Sequence, residues 1–215
     1  VAEEVYCDGI LVADHIDLSS VEQTIYMPEI GTTASDVVNG TQTSMADQDI
    51  KVKDVVKYEN LIPGTTYTVK GQLYDQQTGK PMLDDAGHEI TAEKDITPTT
   101  ANGEVEITFT FSGVSLAGKV GVAFEEVYYK DRLVGVHASL EDESQMSFYP
   151  SLKTTAAGEA KNLVYADGKA TVLDTVAFDG VQPGKEYVLE ATLREQETGE
   201  ILKDADGKEI KGKTT

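Results

Sequence analysis

One short pattern occurs twice in this chain, 122 residues apart, and it constrains the fold more than any other feature. The first copy reads Glu3-Glu4-Val5-Tyr6, then His15, then Gln23, then Pro28-Glu29-Ile30-Gly31-Thr32-Thr33-Ala34. The second reads Glu125-Glu126-Val127-Tyr128, then His137, then Gln145, then Pro150-Ser151-Leu152-Lys153-Thr154-Thr155-Ala156. His is eight residues before Gln in both copies, and Gln is nine before the first Thr. Packing alone does not require an acid, a His, a Gln and a Thr at fixed intervals, so the spacing points to shared chemistry. The match continues at an offset of 120: Asp54, Val56, Pro63-Gly64, Tyr67, Leu73, Gln76 and Thr78-Gly79 correspond to Asp174, Val176, Pro183-Gly184, Tyr187, Leu193, Gln196 and Thr198-Gly199. A period this long exceeds the roughly 20 to 50 residues of a solenoid unit and reads as tandem domains.

In this register one repeat is whole, from Pro28 to Tyr149 (28–149). Residues 1–27 read as the C-terminal strands of a preceding repeat, and residues 150–215 as the N-terminal part of a following one. The chain is therefore expected to be a piece of a longer array. A formal net charge of −20 repels phosphate, which argues against nucleic acid and anionic membranes as partners. The sequence has no apolar run of 18 residues, so no transmembrane helix is expected, and no signal peptide is read at Val1. The single cysteine, Cys7, cannot close an internal disulfide.

The local pattern is β. Apolar and polar residues alternate in Tyr67-Thr68-Val69-Lys70-Gly71-Gln72-Leu73 and in Val105-Glu106-Ile107-Thr108-Phe109-Thr110-Phe111. Val120-Gly121-Val122-Ala123-Phe124 is apolar and β-branched, as a central strand requires. Turn pairs recur at Pro63-Gly64, Thr78-Gly79, Ala86-Gly87, Asn102-Gly103, Pro183-Gly184, Thr198-Gly199 and Asp206-Gly207. The fold expected is all-β, in tandem immunoglobulin-like β-sandwich domains. The Cys–Trp–Cys signature of true immunoglobulin domains is missing, since the chain has no Trp. Asp204-Ala205-Asp206-Gly207 has the opening of a calcium loop but lacks its distal Glu, so a β-turn is the expected reading and no metal is assigned. Gly118-Lys119 lacks a P-loop context, and no cofactor is expected.

Within the complete repeat, His137 and Gln145 flank the polar run Ser139 to Ser144. This predicts a hairpin with its tip near Glu141-Asp142 and His137 opposite Gln145. Glu125 continues the apolar strand Val122 to Phe124, and Asp54 opens the apolar strand Asp54 to Tyr58. Both acids are expected inside. Burial raises a carboxyl pKa, and two buried acids close together share a proton, so one stays neutral.

Val122-Ala123-Phe124-Glu125, Pro28-x-Ile30-x-Thr32-Thr33-Ala34 and His137-x7-Gln145 together resemble the VaFE-repeat, Thr–Gln ester-bond domains of Gram-positive surface adhesins. The resemblance spans essentially the whole chain. It implies an intramolecular ester between Thr32 on the first strand and Gln145 on the last, assisted by Asp54, Glu125 and His137. It assigns Glu3, His15 and Gln23 to a preceding copy of the site, and Thr154 and Asp174 to a following one. In this chemistry His137 accepts or relays the Thr32 proton, and a protonated acid stabilises the oxyanion on Gln145. The implied role is a self-crosslinked stalk repeat of an extracellular, cell-wall-anchored adhesin or pilus, resistant to force and proteolysis. The crosslink would form once, so the chain would not be an enzyme with turnover.

Adjacent repeats of the same protein are the expected partners, together with head-to-tail self-association through the two incomplete repeats, in which Thr154 of one molecule would meet Gln23 of another. A second reading is a module that binds a host ligand, which requires an exposed aromatic patch on one set of loops. A third is a hydrolase built on Asp54, Glu125 and His137, which requires a free nucleophile in a cleft. A Lys–Asn isopeptide domain would need Asn where Gln145 stands.

Overall fold

A computed structural model describes residues 1–165 and 169–215. The chain divides into two compact units, Val1–Val181 and Gln182–Thr215, each considered by itself. The protein is all-β, with multiple sheets. Among the described residues no helix is long and apolar enough to cross a membrane.

The first unit opens with the antiparallel pair β1 (Glu3–Cys7) and β2 (Ile10–His15). The central body follows. One sheet has the order β3-β4-β7, from β3 (Glu29–Asp36), β4 (Ile50–Glu59) and β7 (Gly103–Phe111). The facing sheet contains β5 (Tyr67–Asp75), β6 (Thr91–Ile96), β8 (Lys119–Tyr129), β9 (Arg132–His137) and β10 (Met146–Tyr149), ordered β10-β8-β5-β6 with β9 also paired to β8. Side chains from both sheets meet in one core, which includes Val52, Val56, Ile107 and Phe109 from the first and Val69, Leu73, Ala123 and Val127 from the second.

Strand periodicity decides which polar residues go inside. On β4 the inward series is Ile50, Val52, Asp54, Val56 and Tyr58, so the alternation that buries the aliphatics also buries Asp54. On β8 the series Gly121, Ala123, Glu125 and Val127 does the same for Glu125. On β3 it carries Thr32, Ala34 and Asp36 inward. Gly71 on β5 lies directly across from Glu125, and a Cβ there would come within 2.6 Å of the Ile107 and Phe109 side chains. Its missing side chain lets the facing sheet close over Glu125.

The expected hairpin between His137 and Gln145 does not form. Both β9 and β10 run antiparallel to β8, along successive stretches of it: His137 sits across from Glu125, and Met146 across from Val122. They are two halves of one interrupted last strand, and residues 138–145 are the interruption. The turn near Glu141-Asp142 exists, but it returns the chain to the same edge. The 3-10 turn Glu143–Gln145 ends the excursion and carries Gln145.

The internal repeat is written into the pairing register. Glu3 faces His15 on β1–β2 as Glu125 faces His137 on β8–β9. Both pairs carry an irregularity at the same place, between Val5 and Tyr6 and between Val127 and Tyr128. The first unit closes with β11 (Ser151–Ala157) and β12 (Leu173–Asp179), where Ala156 faces Asp174 as Ala34 faces Asp54. In the second unit β13 (Leu189–Thr192) and β14 (Lys211–Thr214) pair Leu189 with Thr214, matching Val69 with Lys94. Asp204–Gly207 is a turn, with the Asp204 carboxylate accepting from the backbone N–H groups of Asp206 and Lys208.

Candidate crosslinking site

The first strand and the interrupted last strand lie side by side, and the site forms where they meet. Thr32 is 7% exposed, and its Oγ1 donates to Glu125 Oε2 at 2.9 Å. Asp54 is completely buried and accepts from the Thr33 N–H at 3.1 Å through Oδ1. Glu125, also completely buried, stands within hydrogen-bonding reach of Asp54.

The electrostatics follow from burial. Desolvation, then the adjoining Asp54 carboxyl, pushes the Glu125 pKa up to about 10, so Glu125 is neutral at physiological pH. Burial raises Asp54 as well, opposed by its hydrogen bond from Glu125, by the Thr33 N–H and by the nearby His137. Asp54 Oδ2 and Glu125 Oε1 have no hydrogen-bond partner. A proton shared between the two adjoining carboxyls gives the unpaired oxygens a partner. Two facing carboxylates would leave both unpaired, so the neutral Glu125 is what makes the arrangement tenable.

His137 is a quarter exposed, and its Nε2 lies 2.7 Å from Asp142 Oδ2. The Thr32 hydroxyl is thus on Glu125, while the His137 ring is on Asp142. Gln145 is completely buried, and neither its amide nitrogen nor its carbonyl oxygen has a hydrogen-bond partner. Leaving such groups unpaired costs about 1–3 kcal/mol each. The hydroxyl oxygen of Ser144, the preceding residue, lies 3.3 Å from the Thr32 carbonyl oxygen, which sets the turn against β3.

Further support comes from the segment after β3. Gln42 donates to the carbonyls of Glu143 and Met146, which bracket Gln145. The Phe148 N–H donates to the Gln42 carbonyl at 2.7 Å, and the Ser44 N–H to the Phe148 carbonyl at 2.9 Å. Asp36 braces this segment through Val38 N, Asn39 N and the Ser44 hydroxyl. Asp142, Ser144 and Gln42 were not singled out from the sequence. The signal for the first two was Asp142-x-Ser144, a helix-capping pattern just before Gln145; Gln42 left none.

Thr32, Asp54 and Glu125 meet inside the core, while His137 lies across from Glu125 on β9 and Gln145 is held by the turn whose Ser144 reaches β3. The equivalent positions outside the complete repeat stand differently. Glu3 and His15 face each other on β1–β2 but are exposed, and Gln23 ends a short 3-10 turn, Val21–Gln23, as Gln145 does. Thr154 and Asp174 are exposed on β11 and β12. Among the described residues no cluster of three or more His, Cys, Asp or Glu is arranged to hold a metal ion.

A family model described as "T-Q ester bond containing domain" matches residues 28–147 and 150–215. No curated protein matches the chain. Among solved structures, a bacterial adhesin from Mobiluncus mulieris containing intramolecular disulfide, isopeptide and ester bond cross-links matches at 16% identity and a TM-score of 0.49, covering 72% of this chain and 75% of that one. A second crystal form of that adhesin matches at 17% identity and 0.46, covering 72% and 74%. A β-glucuronidase from Bacteroides uniformis matches at 8% identity and 0.39, covering 69% of this chain and 16% of that one.

Proposed function

Because the chain belongs to the T-Q ester bond containing domain family, we propose that residues 28–149 are a self-crosslinking domain in which Thr32 and Gln145 become joined by an ester. The observation that carries this reading is a pair of buried groups with complementary chemistry. A nearly dry Thr32 hydroxyl and a dry, partnerless Gln145 carboxamide stand at the meeting of the first and last strands. The unpaired carboxamide is costly as an amide, and conversion to an ester removes its N–H donors.

The Thr32–Glu125 hydrogen bond and the adjoining Asp54 carboxyl outline a proton path. Thr32 gives its proton to Glu125 Oε2 as Glu125 passes its Oε1 proton to Asp54 Oδ2. Glu125 acts as a relay and Asp54 as the acceptor, with the imidazole of the neighbouring His137 as the base that draws the proton on from Asp54. Thr32 Oγ1 attacks the side-chain carbonyl carbon of Gln145 to form a C–O bond. The C–N bond then breaks, and the nitrogen leaves as ammonia carrying the proton returned from the Glu125–Asp54 pair. Thr hydroxyl plus carboxamide gives ester plus ammonia, with nothing else consumed. Holding the groups together can contribute about 7–11 kcal/mol towards the barrier. Exclusion of water then protects the product from hydrolysis. The reaction occurs once per domain, so there is no turnover.

The same reading makes residues 1–27 and 150–215 parts of neighbouring repeats, supported by their shared pairing registers. The protein is then a stalk segment of a cell-wall-anchored surface adhesin, in which the ester replaces the disulfides that one cysteine cannot provide. Its other surfaces give less support for a ligand-binding module. The stacked pair Tyr74–Phe124, with ring centroids 4.4 Å apart, lies on strands β5 and β8 rather than on a set of loops. Peptide mapping by tandem mass spectrometry tests the crosslink. A branched peptide joining the Thr32 and Gln145 segments supports it, and two linear, unmodified peptides contradict it.

A further inference from the structure

We infer that Asp142 is a positioning residue for the crosslinking reaction, tying the imidazole of His137 to the turn that presents Gln145. This rests on the reaction proposed above. Each oxygen of the carboxylate has a separate task. Oδ2 meets His137 Nε2 at 2.7 Å. Oδ1 accepts from the Ser144 N–H at 2.9 Å and the Ser144 hydroxyl at 2.6 Å, capping the 3-10 turn that ends in Gln145. Ser144 in turn reaches the Thr32 carbonyl oxygen, so one carboxylate connects the histidine, the electrophile and the strand of the nucleophile.

The contact also selects a tautomer. The Ser144 hydrogen bonds, foremost among the causes, hold Asp142 below the usual carboxylate range, so it is an anion and can only accept. His137 Nε2 is therefore the donor, and in the neutral ring this tautomer leaves Nδ1 as the basic nitrogen. An acid that fixes the orientation and tautomer of a histidine, without itself touching the reacting atoms, is a general device of acyl-transfer chemistry. The first copy of the repeat has Ser20 and Glu22 where the complete domain has Asp142 and Ser144, and Ser20 makes no side-chain cap to its turn. The clamp is a feature of the complete domain and not of the repeated pattern.

Asp142→Asn separates positioning from folding. Asn keeps an oxygen for the Ser144 cap, but its amide would donate to Nε2 and force the opposite tautomer. The chain is made by cell-free synthesis, quenched at intervals and weighed intact. The wild type is expected to lose one ammonia, and Asp142→Asn to do so on the order of 10²-fold more slowly. Asp142→Glu should recover part of the rate. In the Thr32→Ala background, where no ester can form, Asp142→Asn should leave the melting temperature unchanged, while the Nε2–H proton resonance of His137 is lost. Equal rates for wild type and Asp142→Asn would overturn the inference, as would a lower melting temperature of the double variant than of Thr32→Ala alone. A wild-type chain that never loses ammonia would instead remove the underlying ester reading.

Discussion

At the residue scale the account turns on one proton. Glu125 is neutral because it is buried against Asp54, and so it has a proton to pass on while it accepts from the Thr32 hydroxyl. Glu125→Gln keeps the shape but cannot relay, so the intact mass should stay at the uncrosslinked value in a folded protein; crosslinking at the wild-type rate would refute the relay. The raised pKa also has a stability consequence with a definite sign. Glu125 binds its proton more tightly folded than unfolded, so its contribution is fully present below the unfolded value of about 4.5 and is lost as pH rises towards about 10. In the uncrosslinked Thr32→Ala variant, the melting temperature should fall from pH 5 to pH 9. Adding Glu125→Gln should flatten that slope, and an unchanged slope would mean Glu125 is ionised in the fold.

At the element scale the site depends on strands whose inward faces accept polar residues. Gly71→Ala tests how tightly the sheets close over Glu125. The new Cβ would meet Ile107 and Phe109, and the strain should cost about 1–3 kcal/mol in denaturant titrations. Much of this scale was legible in the sequence. The apolar runs Asp54 to Tyr58 and Val122 to Phe124 put Asp54 and Glu125 inside, and the spacing of the repeat singled out Thr32, His137 and Gln145. The path of the last strand was not legible. A polar run between two strands reads as a hairpin, and nothing local shows that β9 and β10 share one edge of β8; that is decided by β8, an eleven-residue strand long enough to pair with both. Asp142 stayed hidden because its counterpart in the first copy is Ser20, so the repeat comparison passed over it.

At the scale of the whole molecule, an ester from Thr32 to Gln145 closes a loop of over 100 residues around the central body. By analogy with a disulfide of that span, it would contribute about 4–5 kcal/mol. Thr32→Ala should therefore fold and yet melt on the order of 15 °C lower than the wild type; an unchanged melting temperature would argue that the bond adds nothing to stability. Under load the bond matters more, because tension along a stalk would pass from first strand to last through covalent atoms. The most direct measurement is the intact mass of the folded, purified chain. The account predicts a value about 17 Da below that calculated from the sequence, one ammonia lost, with the deficit absent in Thr32→Ala. A folded wild-type chain at its full calculated mass would contradict it.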